Sequence, residues 1–171
     1  MLRFKFSVWM IVYVLFALSF SACSDDDNDD IYVPPSNIVE ALKQLYPNAQ
    51  NVKWEMKGEY YVADCWLSGD ELDVWFDANA NWVMTENELD SIDQLVSAVY
   101  KAFQNSIYNS WVVTDVYVLT FPQTLTKSVI QVKQGDQRHA LYFTQDGGLV
   151  LDKNISNGDD TNWPSSLNLD E

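Results

Sequence analysis

The stretch VKWEMKGEYYVADCWLSGDELDVWFDANANWVMT, residues 52–85, decides the fold because apolar side chains recur in it at every second position. A period of two residues is that of a β-strand with one buried face. Two such runs flank the tripeptide Ser68-Gly69-Asp70, whose glycine and aspartate tolerate the positive φ of a tight turn. The pattern predicts a β-hairpin with one apolar row, formed by Tyr61, Ala63, Cys65, Leu67, Leu72, Val74 and Phe76.

Two further turn signals extend this hairpin to four antiparallel strands. Lys57-Gly58 separates the hairpin from an earlier strand, and the segment DANAN at 77–81 precedes a later one. Because only one face of the four strands is apolar throughout, another element has to cover that face. Residues 36–46 are predicted to form a helix with Ser36 as its N-cap and one apolar stripe. That stripe consists of Ile38, Ala41, Leu42, Leu45 and Tyr46.

The rest of the chain repeats this order of elements, a helix followed by four strands. The capping-box pattern fits both residues 85–88 and residues 91–94, which leaves the start of the second helix open. Its apolar stripe is Ile92, Leu95, Val96, Val99 and Phe103, and the strands are predicted at 111–121, 128–133, 139–144 and 149–151. We interpret the chain as an α+β fold with an internal duplication, its halves at 36–85 and 86–153 and a polar tail at 154–171.

Residues 1–22 have the organisation of an export signal. Two basic residues precede an apolar run at 6–20, which is shorter than the roughly 20 residues of a membrane-spanning helix. The following Ser21-Ala22-Cys23 resembles the lipobox of bacterial lipoproteins, in which the cysteine becomes the acylated N-terminus. The resemblance implies lipid attachment at Cys23 and a location at the outer membrane, facing the periplasm or the cell surface.

Residues 23–35 are predicted to be an acidic tether. The run SDDDNDD at 24–30 cannot form a hydrophobic core and is expected to be solvated. Two interpretations of this run remain open. It resembles a surface-export signal of some Gram-negative lipoproteins, and it is equally explained as a charged spacer.

The overall charge restricts the kinds of partner. The net charge of −15 argues against nucleic acid and anionic lipid surfaces, and it favours cationic partners without naming one. Lipid attachment at Cys23 would leave Cys65 as the single thiol of the mature domain, so no intramolecular disulfide is expected. Cys65 lies in the apolar row, where a cysteine behaves as a small hydrophobic residue.

No catalytic or metal-binding constellation is predicted. A nucleophilic pair of Cys65 with His139, the single histidine, would lack both an orienting group and an oxyanion site. The segment 77–88 carries oxygen ligands at the spacing of a calcium loop, but Trp82 occupies the position at which such a loop requires glycine. Turn preferences of Asn and Asp explain the same residues. We therefore predict a protein that is not an enzyme and that needs no cofactor or metal.

Several short motifs together carry a family resemblance. They are YPNA at 46–49, VKW at 52–54, YVA at 61–63, VWFDAN at 74–79, NW at 81–82 and TE at 85–86. This set resembles the PepSY-like family with a β-lactamase-inhibitor-like fold, whose members are small exported proteins of Gram-negative bacteria. Ala80 stands where the family usually has glycine. The resemblance implies one long antiparallel sheet with helices on one face and the other face open, and it implies no known activity.

The face of the sheet opposite the helices is the predicted binding face. Its aromatic and acidic side chains are Tyr60, Asp64, Trp66, Asp73, Trp75, Tyr117 and Tyr142. Aromatic area provides affinity and carboxylates select a cationic partner, which is a combination that protein interfaces use. Cross-strand aromatic pairs also stabilise a sheet without any ligand, and exposed aromatic rings stack on sugars, so both of these alternatives stay open.

The sequence therefore predicts an exported cell-envelope lipoprotein that binds a protein or peptide through this face. In an inhibitor-like version the target would be an envelope hydrolase or protease. A structural or accessory lipoprotein that self-associates as a homodimer is one alternative, and a glycan-binding surface lipoprotein is another.

Overall fold

The computed structural model describes residues 32–158 and Pro164. The predictions of an export signal at 1–22 and of lipid attachment at Cys23 lie outside the described residues. Most of the predicted tether and of the predicted tail lies outside them as well.

The first helix, α1 (Ser36–Leu45), packs its apolar stripe onto the sheet as predicted, with Ile38 and Leu42 buried. The prediction of Ser36 as the N-cap is wrong, because Pro35 occupies that position and Ser36 is already helical. The carbonyl of Pro35 accepts hydrogen bonds from the amides of Ile38 and Val39 at 3.0 and 3.3 Å. Proline is suited to this position because its ring fixes φ and its missing N–H needs no partner.

Eight strands follow the chain order and pair antiparallel into one sheet. They are β1 (Gln50–Lys57), β2 (Tyr60–Leu67), β3 (Asp70–Phe76), β4 (Trp82–Glu88), β5 (Val112–Thr120), β6 (Thr126–Gln134), β7 (Gln137–Thr144) and β8 (Leu149–Asn154). The second helix, α2 (Ser97–Gln104), lies in the connection from β4 to β5. The predicted antiparallel α+β sheet with two helices is confirmed.

The start of α2 is later than its apolar stripe suggested. Residues Ile92–Gln94 form a separate 3-10 turn, in which the Gln94 side chain accepts a hydrogen bond from the amide of Ser91 at 3.2 Å. The capping-box residues at 91–94 therefore serve this short turn. Val99 and Phe103 of α2 are buried against the sheet.

Both helices lie on the same face of the sheet. Helix α1 covers Ala63, Cys65 and Val74 of the first strands, and α2 covers Ile130 and Leu141 of the later ones. The strand registers connect these residues along one face, since side chains paired across an antiparallel ladder point to the same side. The helix-covered face is thus one continuous apolar layer.

The end of the sheet corrects the predicted boundary of the tail. Strand β8 continues to Asn154, and Ile155 is buried with 4% of its surface exposed. The Ile155 amide donates to the carbonyl of Arg138, and the Ser156 hydroxyl accepts from the Arg138 amide at 2.9 Å. Residues 154–156 therefore belong to the folded domain, because an apolar side chain and two hydrogen bonds hold them to β7.

Candidate functional site

The face opposite the helices divides into an apolar part and an acidic part. The apolar part is a second hydrophobic core, consisting of Val62, Trp75, Met84, Tyr117, Leu119, Val129, Ala140, Tyr142 and Ile155. Trp75 and Tyr142 have no exposed surface, and Tyr117 is 6% exposed. The expectation of an open aromatic face is therefore wrong for these three residues.

Neighbouring rings and side chains account for this burial. Tyr60 lies against Trp75 with a centroid distance of 6.1 Å, and the Nζ atom of Lys57 lies 5.3 Å from the centre of the Trp75 ring. Tyr142 pairs across the ladders with Val129 and Leu151. These aromatic residues stabilise the sheet and cannot contact a partner unless the core opens.

The acidic part forms a cleft of about 1020 Å³. It opens because β4 and β5 pair over only four residues each, Thr85–Glu88 with Tyr117–Thr120. Strand β4 ends at Glu88, and Leu89 donates one more backbone hydrogen bond to Val116, whereas β5 extends beyond this point as residues 112–115. Nine of the side chains that line this acidic cleft are carboxylates: Glu55, Asp64, Asp70, Glu71, Asp73, Glu86, Glu88, Asp90 and Asp115.

Several of these carboxylates lie directly opposite one another. Asp64 of β2 pairs with Asp73 of β3, and Asp73 pairs in turn with Glu86 of β4. Like charges at opposed positions destabilise a sheet. Lys57 offsets part of this repulsion, since its Nζ atom lies 2.8 Å from Asp73 and 3.2 Å from Glu55. The opposed carboxylates of these three strands therefore reduce the stability of the sheet.

The pKa of Glu88 reflects the negative charge of the cleft. Burial raises the pKa of its carboxyl, and the negative charges of Asp115, Glu71, Asp73 and Asp90 raise it further. A raised pKa means that ionisation of Glu88 is less favourable in the folded protein than in the unfolded chain. The cleft therefore has a negative potential that a cation would relieve.

Replacing Glu88 by glutamine is expected to stabilise the protein at pH 7. The folded-state pKa of Glu88 lies above the unfolded value, so its destabilising charge is fully present above the folded pKa. The gain should be about 0.5 kcal/mol, limited by the exposure of the side chain. It should disappear below about pH 4, where Glu88 is protonated in both states. Urea denaturation at pH 7 and pH 4 measures the difference.

The control for Glu88→Gln is Glu40→Gln, because Glu40 lies exposed on α1, on the other face of the sheet. It removes the same charge from the protein without touching the cleft. A stabilisation by Glu88→Gln that matches the control, or that persists at pH 4, would contradict the assignment of repulsion to the cleft.

Trp66 is the exposed aromatic side chain of the cleft. It lies on β2 with 43% of its surface exposed and pairs across the ladder with Glu71. The structure brings together three of the predicted face residues here, Asp64, Trp66 and Asp73. Tyr60 lies instead beside Trp75 at the edge of the apolar core.

Sequence reasoning missed most of the cleft carboxylates. Their signal was present, since Glu71 alternates with Asp73 on β3 and Glu86 alternates with Glu88 on β4. Combining these pairs into one site required the register between β3 and β4 and the short overlap of β4 with β5. Neither feature is visible in the composition of a single strand.

The other candidate chemical groups are structural. Cys65 is buried beneath α1, and burial raises the pKa of its thiol to about 11, so it is an unreactive core residue. Strands β3 to β6 lie between β2, which carries Cys65, and β7, which carries His139. The Nδ1 atom of His139 lies 2.6 Å from Asp152, which also accepts a hydrogen bond from Tyr108 at 2.5 Å.

The segment 77–81 forms a hydrogen-bonded turn. The Oδ1 atom of Asp77 accepts from the amides of Asn79 and Asn81 at 2.8 Å, and Oδ2 accepts from the Asn81 side chain. The hydrogen bond from the Asn81 side chain is the main cause of the lowered pKa of Asp77. Within residues 32–158, no group of three or more Asp, Glu, His or Cys side chains is arranged to hold a metal ion.

Comparison with known proteins places this arrangement in a family. The model of the PepSY-like, beta-lactamase-inhibitor-like family matches residues 59–150, which include strands β2 to β7 and the start of β8. The chain belongs to the PepSY-like family. A search of curated proteins found no match.

Several solved structures share the fold of this chain. A BLIP-like protein from Bacteroides fragilis is 55% identical, with a TM-score of 0.74 over 81% of this chain and 99% of its own. A DUF2874 family protein from Bacteroides ovatus is 36% identical, with a TM-score of 0.76 over 80% and 98%. A protein from Bacteroides eggerthii described as periplasmic is 31% identical, with a TM-score of 0.73 over 80% and 99%.

Among the helices that the structure describes, neither α1 nor α2 combines the length and the hydrophobicity that crossing a membrane requires.

Proposed function

We propose that this PepSY-like protein is a non-enzymatic lipoprotein of the cell envelope that binds a cationic segment of a protein or peptide in its acidic cleft. The proposal rests on the position and exposure of Trp66. A tryptophan at 43% exposure is held at the wall of a cleft whose charged lining is acidic. Arginine and lysine side chains can stack on an exposed indole while a carboxylate neutralises their charge.

The proposed binding residues are a revised set. Asp64, Trp66 and Asp73 remain from the predicted face, and Glu71 and Glu88 join them from neighbouring positions of the cleft. The burial of Trp75, Tyr117 and Tyr142 argues against glycan binding and against self-association through this face, because both alternatives relied on a broad aromatic surface.

The proposed location rests on the N-terminal sequence and on one relative. Cleavage before Cys23 and lipid attachment to it would anchor the protein at the outer membrane, and the PepSY-like protein from Bacteroides eggerthii described as periplasmic supports an envelope location. The acidic run at 24–30 would then be the tether between lipid and domain. We retain the internal duplication of halves 36–85 and 86–153 as part of this proposal.

Fluorescence anisotropy with a labelled peptide of alternating arginine and glycine tests the binding. We expect saturable binding at about 0.15 M salt, where long-range attraction is largely screened. Trp66→Ala should weaken binding about fivefold, which corresponds to the loss of one stacking contact. The double variant Asp64→Asn/Glu71→Gln should weaken it at least as much. A peptide of alternating glutamate and glycine should not bind.

The control is the double variant Glu40→Gln/Asp136→Asn, whose residues are exposed on α1 and in the turn between β6 and β7. It removes the same two charges from the protein but leaves the cleft intact, so binding should be unchanged. Equal weakening by both double variants would mean that general acidity attracts the peptide, and the cleft proposal would be wrong. Absence of binding to the unmodified protein would exclude a cationic partner of this kind.

A further inference from the structure

The outer edge of β1 is a second surface, which borders the acidic cleft at Glu55. Strand β1 is the first in the sheet order, and it pairs with β2 alone among the described strands. Its eight residues include Val52 and Met56, which are 37% and 41% exposed, while Lys53 and Glu55 point to the opposite face and are exposed as well. Exposed strand edges present unpaired backbone groups that can extend a sheet.

We propose that β1 pairs antiparallel with β1 of a second copy of this chain, about a two-fold axis at Trp54. Side chains that are directly opposite each other in an antiparallel ladder share a face. This register places Lys53 opposite Glu55 of the second copy, and Glu55 opposite its Lys53. On the helix-covered face it places Val52 opposite Met56, so both exposed apolar side chains become buried.

Neighbouring registers of the same strand are unfavourable. A two-fold axis at Lys53 sets two lysines opposite each other, and an axis at Glu55 sets two glutamates opposite each other. Like charges directly opposite are destabilising, so the charge pattern favours the Trp54 register over these two. An axis at Met56 sets Glu55 opposite Lys57, but its ladder would extend beyond the end of β1 into the turn at Gly58. The shift in pairing between Gln50 and Lys53, where Asn51 has a φ of 54°, makes Val52 the last residue of the proposed ladder.

The other end of the sheet lacks this self-complementarity. In β8, a two-fold axis at Leu151 sets Leu149 opposite Lys153 and Val150 opposite Asp152. An axis at Asp152 sets Leu151 opposite Lys153. Both of these registers oppose an apolar side chain with a charged one. An axis at Val150 would set Leu149 opposite Leu151, but the ladder with β7 is irregular at Val150. The second copy is therefore expected at β1. The result would be a continuous sixteen-stranded sheet with all four helices on one face.

Sedimentation equilibrium of residues 24–171 tests this dimer. That portion excludes the predicted export signal. The 55% identical protein from Bacteroides fragilis corresponds over 99% of its length to 81% of this chain, and it was crystallised. We expect reversible dimers at about 10–100 µM protein, because one strand edge is a small interface. Lys53→Glu should weaken the dimer roughly tenfold by replacing two attractive pairs with two repulsive ones.

The double variant Lys53→Glu/Glu55→Lys decides the register. It exchanges the charges across the two-fold axis and should restore the dimer to within about threefold of the original. Lys133→Glu, at an exposed position of the inner strand β6, changes the net charge equally and should have no effect. A monomer at all concentrations, or a double variant that stays as weak as Lys53→Glu, would overturn the proposal. The peptide-binding assay uses variants that leave Lys53 and Glu55 unchanged, so neither dimer result decides it.

Discussion

Replacing Trp75 by alanine is expected to destabilise the protein by about 3–5 kcal/mol. Trp75 has no exposed surface and lies at the centre of the core opposite the helices, between Val62 and Met84 on the adjacent strands. The substitution removes the largest fully buried side chain and leaves a cavity. It also removes the contact of Lys57 with the indole ring. The melting temperature should fall by roughly 10–20 °C, measured by circular dichroism.

Trp66→Ala is the matched control for Trp75→Ala, because both tryptophans lie on the same face of the sheet. Trp66 is 43% exposed, and its loss should cost less than about 1 kcal/mol. If the two substitutions had equal effects on stability, the division of this face into a core and an exposed cleft would be incorrect. The pair also separates stability from binding, since Trp66→Ala alone should weaken peptide binding in a folded protein.

Gly147→Ala is expected to cost about 2–4 kcal/mol, for two independent reasons. Gly147 lies in the turn between β7 and β8 with a φ of +90°, which side chains rarely adopt. A Cβ atom at this position would lie 2.7 Å from the carbonyl oxygen of Ala98 and 3.3 Å from the Cβ of Ala102, both on α2. The helix backbone would have to move away from the turn. Urea denaturation monitored by tryptophan fluorescence measures the change.

Gly58→Ala separates strain from steric overlap. Gly58 lies in the turn between β1 and β2 with a φ of +63°, and a Cβ atom there would have no neighbour within 4 Å. Only the backbone conformation opposes this substitution, at about 1 kcal/mol. Similar costs at the two glycines would mean that α2 does not press against the β7–β8 turn in solution.

The hairpin and the helix stripes were predictable because their signals are local. Alternating apolar residues at 61–67 and the Ser68-Gly69-Asp70 turn specify β2 and β3 within a few residues of each other. The apolar stripe of α1 matches the buried residues Ile38 and Leu42. Periodicity also assigned Trp66 and Trp75 to the face opposite the helices, since they alternate with the apolar row.

The sequence by itself determined the elements, their order and which side chains share a face, because hydrophobic periodicity and turn chemistry act over a few neighbouring residues. Only the tertiary structure decided the exposure of each side chain. Trp66 and Trp75 are both tryptophans on the same face of the sheet. Distant strands bury Trp75, whereas Trp66 lies in a cleft. That cleft lies where β5 extends beyond its four pairs with β4, and the register of these two strands depends on contacts between elements far apart in the chain.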